Sequence, residues 1–364
     1  MTPSIRSASA WSSGISPNAR NNQTEIFGAG FSPALSWGIS ARGSPIFFIL
    51  SLPILPLLSP MPVLLRQTAP WLLALILTLL SLLFPQPAST LAPWFFLSSA
   101  LILGVPHGAC DPWIPGWVLR RPTKIHFFLI FFIVYLSISA AYLLLWRSYP
   151  LPSTLFFLAL TAWHWGTADA SLESSPTLSW FLFAIGRGSL VMLAPFAFHL
   201  ADTWSVILLM APQAGPPPAS LPFLPLHFIA TLLNLFSRPS VHQTIETFLL
   251  LFLFYLTPPL LSVGTYFVAF HAWRHLLRLS ALRDQLTPID PIPRWTHSVR
   301  QLLLLSIPLT LASLAFLRWI PPFLTSSFPQ GQNWVGPYLI LLAVLTLPHA
   351  LLVGWIDKRN ITQL

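Results

Sequence analysis

Phe270-His271-Ala272-Trp273-Arg274-His275 lies inside an apolar run extending from about residue 248 to residue 279. Two histidines four apart sit on the same face of a helix, one turn from each other, so both imidazoles can reach one ion. Inside a membrane helix an ionisable group is costly and usually faces the bundle interior, where it marks a functional site. Three further histidines stand in other apolar segments: His107 in Gly104-Val105-Pro106-His107-Gly108-Ala109-Cys110-Asp111, His164 in Trp163-His164-Trp165-Gly166, and His349 in Leu347-Pro348-His349-Ala350. The expectation is that these helices converge on one metal ion.

Composition supports the membrane reading. Of 364 residues, 55% are hydrophobic and 7% charged, against roughly 25% charged in an ordinary soluble domain. Apolar runs of about 20 residues recur along the chain, as spans of a bilayer require. The fold class is therefore all-α: a polytopic transmembrane helical bundle of about 8–10 spans with a metal site between helices. The formal charge of +9 is spread singly or in short loops, with no basic stripe interleaved with aromatics, which argues against nucleic acid as a partner. The excess instead suits anchoring of cytoplasmic loops. Cys110 is the single cysteine, which excludes an internal disulfide and any cysteine-cluster metal site.

Residues 1–45 are polar and rich in Ser, Asn and Gly, and 46–64 are apolar but crowded with prolines. The expected division is an extension over 1–60, disordered or outside the native start, and a single transmembrane catalytic domain over 61–364; Met61 is a candidate start. Spans are predicted at about 69–85, 92–118, 125–147, 152–172, 178–200, 247–277, 300–318 and 335–356. The proline-rich stretch 203–245 is compatible with a loop, a re-entrant segment or two short spans. Arg120, Arg121 and Lys124, then Arg278, Arg283, Arg294 and Arg300, then Lys358 and Arg359 all fall on one side of this layout. The positive-inside rule makes that side cytoplasmic. The predicted localisation is the cell membrane, multi-pass, with a cytoplasmic C-terminus and the five histidines at a similar depth.

Neutral imidazoles without thiolates suit a transition metal such as iron, copper, nickel or zinc. Carboxylates can orient such ligands through the second ring nitrogen, and Asp111 and Asp169 follow His107 and His164 by four and five residues. The competing role for each is to cap a helix end or pair with an arginine, and for His349 a polar interhelical contact. His126, His199, His227, His242 and His297 lie at segment ends or in loops, where interfacial solvation accounts for them. Trp163, Trp165, Tyr266, Phe267, Phe270 and Trp273 flank the histidines and could line a tunnel for a flat conjugated substrate, although interfacial belts use the same residues. Gly-rich phosphate loops, a nucleophile elbow and a Ser/His/Asp set are all missing from the sequence.

Together these motifs resemble the Brp/Blh family of membrane β-carotene 15,15′-dioxygenases, found alongside microbial rhodopsins. The matching pieces are Gly104 through Asp111, His164-Trp165-Gly166 with Asp169, Tyr266-Phe267 with His271 and Arg274-His275, and Pro348-His349. Cys110, where leucine is commoner, and Ala272-Trp273 depart from the family pattern. The resemblance implies Fe(2+) held by His107, His164, His271 and His275, with His349 beside the iron or substrate. It implies central cleavage of β-carotene by dioxygen to two molecules of all-trans-retinal, and a functional link to a retinal-binding opsin. Asp111, Asp169, Trp165, Tyr266, Phe270 and Trp273 are the expected supporting or substrate-facing residues. The alternatives are a membrane di-iron oxygenase of the desaturase kind, a haem-binding carrier, or a non-enzymatic opsin-associated membrane protein.

Overall fold

A computed structural model describes residues 61–119, 124–171, 177–218, 221–284, 295–320, 323 and 334–358. These fall within one compact unit, Pro56–Leu364, and no strand occurs among them. The expected extension over 1–60 lies outside the described residues.

The helices are α1 (Met61–Leu83), α2 (Pro85–Val118), α3 (Ile125–Ser148), α4 (Pro150–Ser171), α5 (Leu178–Phe198), α6 (Leu200–Met210), α7 (Phe223–Ser237), α8 (Val241–Leu256), α9 (259–284), α10 (Trp295–Leu317) and α11 (Val335–Asp357). Prolines at the first position start α2, α4 and α9, where the missing N–H costs nothing. Threonine and serine hydroxyls cap α5 and α8, Thr177 accepting from Trp180 N–H and Ser240 from Gln243 N–H.

Five helices are long and apolar enough to cross a membrane: α2, α3, α5, α11 and the 298–317 part of α10. In α3 only 17% of the most apolar window is buried, and Leu129, Ile130, Ile133, Val134 and Leu136 all face outward. A contiguous apolar face of that size has no place on a soluble monomer. The described helices are those of a membrane protein.

Two features differ from the layout read along the sequence. The span expected over 247–277 is two helices, because Thr257 and Pro258 each precede a proline and are held extended, at ψ 151° and 148°. The helix carrying His271 therefore begins at Pro259. The open stretch 203–245 is largely helical, holding α6, α7 and the start of α8. At 1.5 Å per residue α6 is about 16 Å long and α8 about 24 Å, each short of the ~30 Å apolar core of a bilayer.

Packing is closest where side chains vanish. A Cβ on Gly166 of α4 would sit 1.9 Å from the Ala184 carbonyl oxygen of α5, and one on Gly188 of α5 would sit 1.8 Å from that of Ala162. The backbones of α4 and α5 thus touch directly, as small residues permit between membrane helices. This contact fixes the height of His164 on α4.

Candidate metal centre

Four helices each bring histidine to one place. α2 supplies His107, α4 His164, α9 both His271 and His275, and α11 His349; every one is at most 5% exposed. Ring centroids lie 4.8 Å apart for His164–His271, 5.0 Å for His107–His349 and His164–His349, and 5.3 Å for His107–His271. His275 lies 5.4 Å from His349 and 5.6 Å from His107. The donor atoms of His107, His271 and His349 all fall within 4.8 Å of one another.

Local backbone irregularity produces this convergence. α2 widens to a π-helical stretch at Ala100–Gly104, just before His107, and α9 does the same at Tyr266–Ala272, around His271. Such π-bulges re-aim side chains and concentrate at functional sites. The two stretches pack against each other, and Gly104 makes that possible: a Cβ there would lie 2.4 Å from the Phe267 ring. Phe267 in turn stacks on Trp165 at 5.8 Å and on His271 at 6.2 Å.

The hydrogen bonds set tautomers. His107 Nδ1 lies 3.1 Å from the Leu103 carbonyl oxygen; a carbonyl only accepts, so Nδ1 donates and Nε2 keeps its lone pair. His349 Nδ1 lies 3.0 and 2.9 Å from the two oxygens of Asp111, leaving its Nε2 in the same state. Nε2 of His164, both ring nitrogens of His275 and Nε2 of His349 are buried with no hydrogen-bond partner. Buried polar atoms are rarely left so. Several orphaned nitrogens around one point are what a metal would satisfy, and imidazole donors fit a transition metal. Cys110 takes no part: its thiol faces the Pro106 and Leu302 carbonyl oxygens, each at 3.6 Å.

The two carboxylates have different partners. Asp111, 1% exposed, faces His349 and also accepts from the Tyr135 hydroxyl at 3.1 Å. Asp169 meets no histidine among the described contacts. It pairs with Arg187 Nε at 2.8 Å and Arg274 Nη1 at 3.3 Å, and accepts from the Tyr266 hydroxyl at 2.9 Å. The orienting role expected for Asp169 thus gives way to the arginine pairing that competed with it. Glu246 closes the cluster, bonded to both arginines and, at 2.7 Å, to Trp71 Nε1–H. Two guanidinium groups against two carboxylates leave no net charge, the arrangement in which buried ions are tolerated.

Arg187 and Glu246 were not singled out in the sequence. The available signal was each one's position as a lone charge inside an apolar helix, the rule already applied to the histidines. His227, assigned to a segment end, is instead buried on α7 with its ring 4.9 Å from Phe198.

A cavity of about 590 Å³ opens beside the histidines. His107, His164, His271, His349, Asp111 and Trp165 are among its lining residues, and its wall is overwhelmingly apolar. Lining residues run from His349 back to Leu339 on α11 and from His271 back to Pro259 on α9, distances of about 15 and 18 Å along helices. Tyr266, Phe270 and Trp273 stand behind this wall. Phe270 stacks on Tyr266 at 5.4 Å beneath the Arg274 guanidinium, and Trp273 packs into the cluster around Cys110 and Leu276.

The family model described as beta-carotene 15,15'-dioxygenase matches residues 98–357. A probable beta-carotene 15,15'-dioxygenase Blh from Halobacterium salinarum is 27% identical over 310 residues, covering 75% of this chain and 86% of the relative. A beta-carotene 15,15'-dioxygenase from an uncultured marine bacterium is 26% identical over 281 residues, covering 75% of this chain and 97% of the relative. No solved structure matches.

Proposed function

The chain belongs to the beta-carotene 15,15'-dioxygenase family, and from that premise we propose that it cleaves the central 15,15′ double bond of β-carotene with dioxygen, giving two molecules of all-trans-retinal. The centre is non-haem Fe(2+) held by His107, His164, His271 and His275. One observation carries this reading: buried imidazoles from separate helices converge on the wall of a long apolar cavity.

The iron supplies the one-electron chemistry that lets ground-state dioxygen react with a closed-shell alkene. The protein does the rest by placement. β-Carotene has no polar group to anchor, so its register depends on the shape of the cavity, and the apolar wall excludes water from the reacting bond. Trp165 and Phe267, stacked on each other beside His271, present a flat surface to a flat polyene. The Asp169–Arg187–Glu246–Arg274 cluster clamps α9 through Arg274, which lies between His271 and His275 in the chain. It thereby fixes the height of both imidazoles.

The bilayer is the source of the lipid-soluble substrate and the sink for retinal. We place the chain in the cell membrane as a multi-pass protein with its C-terminus in the cytoplasm, functionally linked to a retinal-binding opsin. The test is expression in cells that accumulate β-carotene, followed by chromatography of the extracted pigments. Loss of β-carotene with appearance of retinal supports the proposal. Intact β-carotene, with the protein in the membrane and loaded with iron, rules it out.

A further inference from the structure

We propose that His349 is itself a metal ligand, bonded through Nε2 and set in place by Asp111 and Tyr135. This rests on the reading of the histidine cluster as an iron site and adds a fifth imidazole to it.

The geometry favours His349 as strongly as any other member. The donor atoms of His107, His271 and His349 lie within 4.8 Å of one another. Metal–imidazole bonds are about 2 Å long, so a bound ion needs only a modest inward movement of these rings. The His349 ring also lies 5.0 Å from that of His164 and 5.4 Å from that of His275. No other histidine of the cluster is within 5.4 Å of three others and bonded to a carboxylate.

The hydrogen bonds give the ring its direction. Asp111 occupies Nδ1, which must donate to it, and Nε2 is left buried, unpartnered and with its lone pair available. Tyr135 holds the carboxylate from the other side at 3.1 Å and touches the Leu345 carbonyl at 3.2 Å, one turn before His349 on the same helix. A carboxylate–histidine–metal array orients a ligand in just this manner.

Charge supplies an independent argument. Asp169 and Glu246 are matched by Arg187 and Arg274. Asp111 is equally buried, yet its partners among the described residues are only Tyr135 and His349. A buried carboxylate bonded to no guanidinium or ammonium group is disfavoured. A divalent cation on the far side of the His349 ring would compensate it.

The test uses the full chain purified in detergent, as wild type and as His349→Ala, His349→Gln, Asp111→Asn and His107→Ala. Each is titrated anaerobically with Fe(2+), and bound iron, affinity and the number of imidazoles around the metal by X-ray absorption are measured. Circular dichroism and elution volume report folding. Both His349 variants should keep their helices and lose one imidazole from the metal shell, with affinity falling by more than the ~10–100-fold expected for Asp111→Asn. Wild-type affinity and an unchanged imidazole count in the His349 variants, with iron lost in His107→Ala, would overturn this inference and leave the iron site standing. Unchanged iron in His107→Ala as well would overturn both.

Discussion

At the scale of the residue, the proposal gives the buried histidines the task of holding a metal. Replacing His271 or His275 by Ala should abolish iron binding and turnover while leaving membrane insertion intact; normal iron content in either variant would contradict the ligand assignment. The ion cluster carries a different expectation. Arg187→Met leaves Asp169 and Glu246 sharing one arginine, and breaking a buried pair costs ~3–5 kcal/mol. A thermal unfolding midpoint in detergent no lower than wild type would show that the cluster does not support the fold. The buried histidine cluster was legible because a polar ring inside an apolar run is conspicuous, and because two of its members are four residues apart. The ion cluster was not, since Asp169, Arg187, Glu246 and Arg274 come from four helices and share no sequence pattern. Asp169 was noticed for its distance from His164, yet its arginine partners lie 18 and 105 residues away; spacing along a helix says nothing of what faces it from another.

At the scale of the element, close approach and irregular turns determine where the histidines stand. Gly166 and Gly104 both face occupied space, but of different kinds. At Gly166 the obstacle is the Ala184 carbonyl of α5, and at Gly104 it is the tip of the Phe267 ring. A ring can swing aside where a backbone cannot. Gly166→Ala should therefore destabilise the protein by about 1–3 kcal/mol and lower iron occupancy, because it pushes α4 and His164 away from α5. Gly104→Ala should cost less stability and act mainly on turnover, through Phe267 and its stack on Trp165. Equal thermal midpoints for the two variants would contradict this ranking. The π-helical stretches left no mark in the sequence beyond Gly104, since their hydrogen-bond register depends on tertiary packing. The break before α9 was marked, by Pro258 and Pro259, although the apolar run continues across it and hydropathy alone reads one span.

At the scale of the whole molecule, the apolar exterior, the buried charged cluster and the histidine-lined cavity suit the proposed work on a lipid-soluble molecule inside the membrane. The proposed topology, read from the basic residues, has Lys358 and Arg359 in the cytoplasm. A reporter fused to the C-terminus should accordingly be active only if it functions in the cytoplasm, and activity of a periplasmic reporter there would invert the topology. Membrane class and the identity of the family were readable from composition and four short motifs. The number of crossings was not, because α6, α7 and α8 are too short to cross singly and their arrangement follows from packing rather than hydropathy. In the proposed function the cavity seats β-carotene with its midpoint at the iron. The direct measurement is the product balance of the purified, iron-loaded protein given β-carotene and oxygen. Two retinal molecules for each β-carotene consumed is the expected result; unequal fragments, or no loss of β-carotene with iron bound, would contradict it.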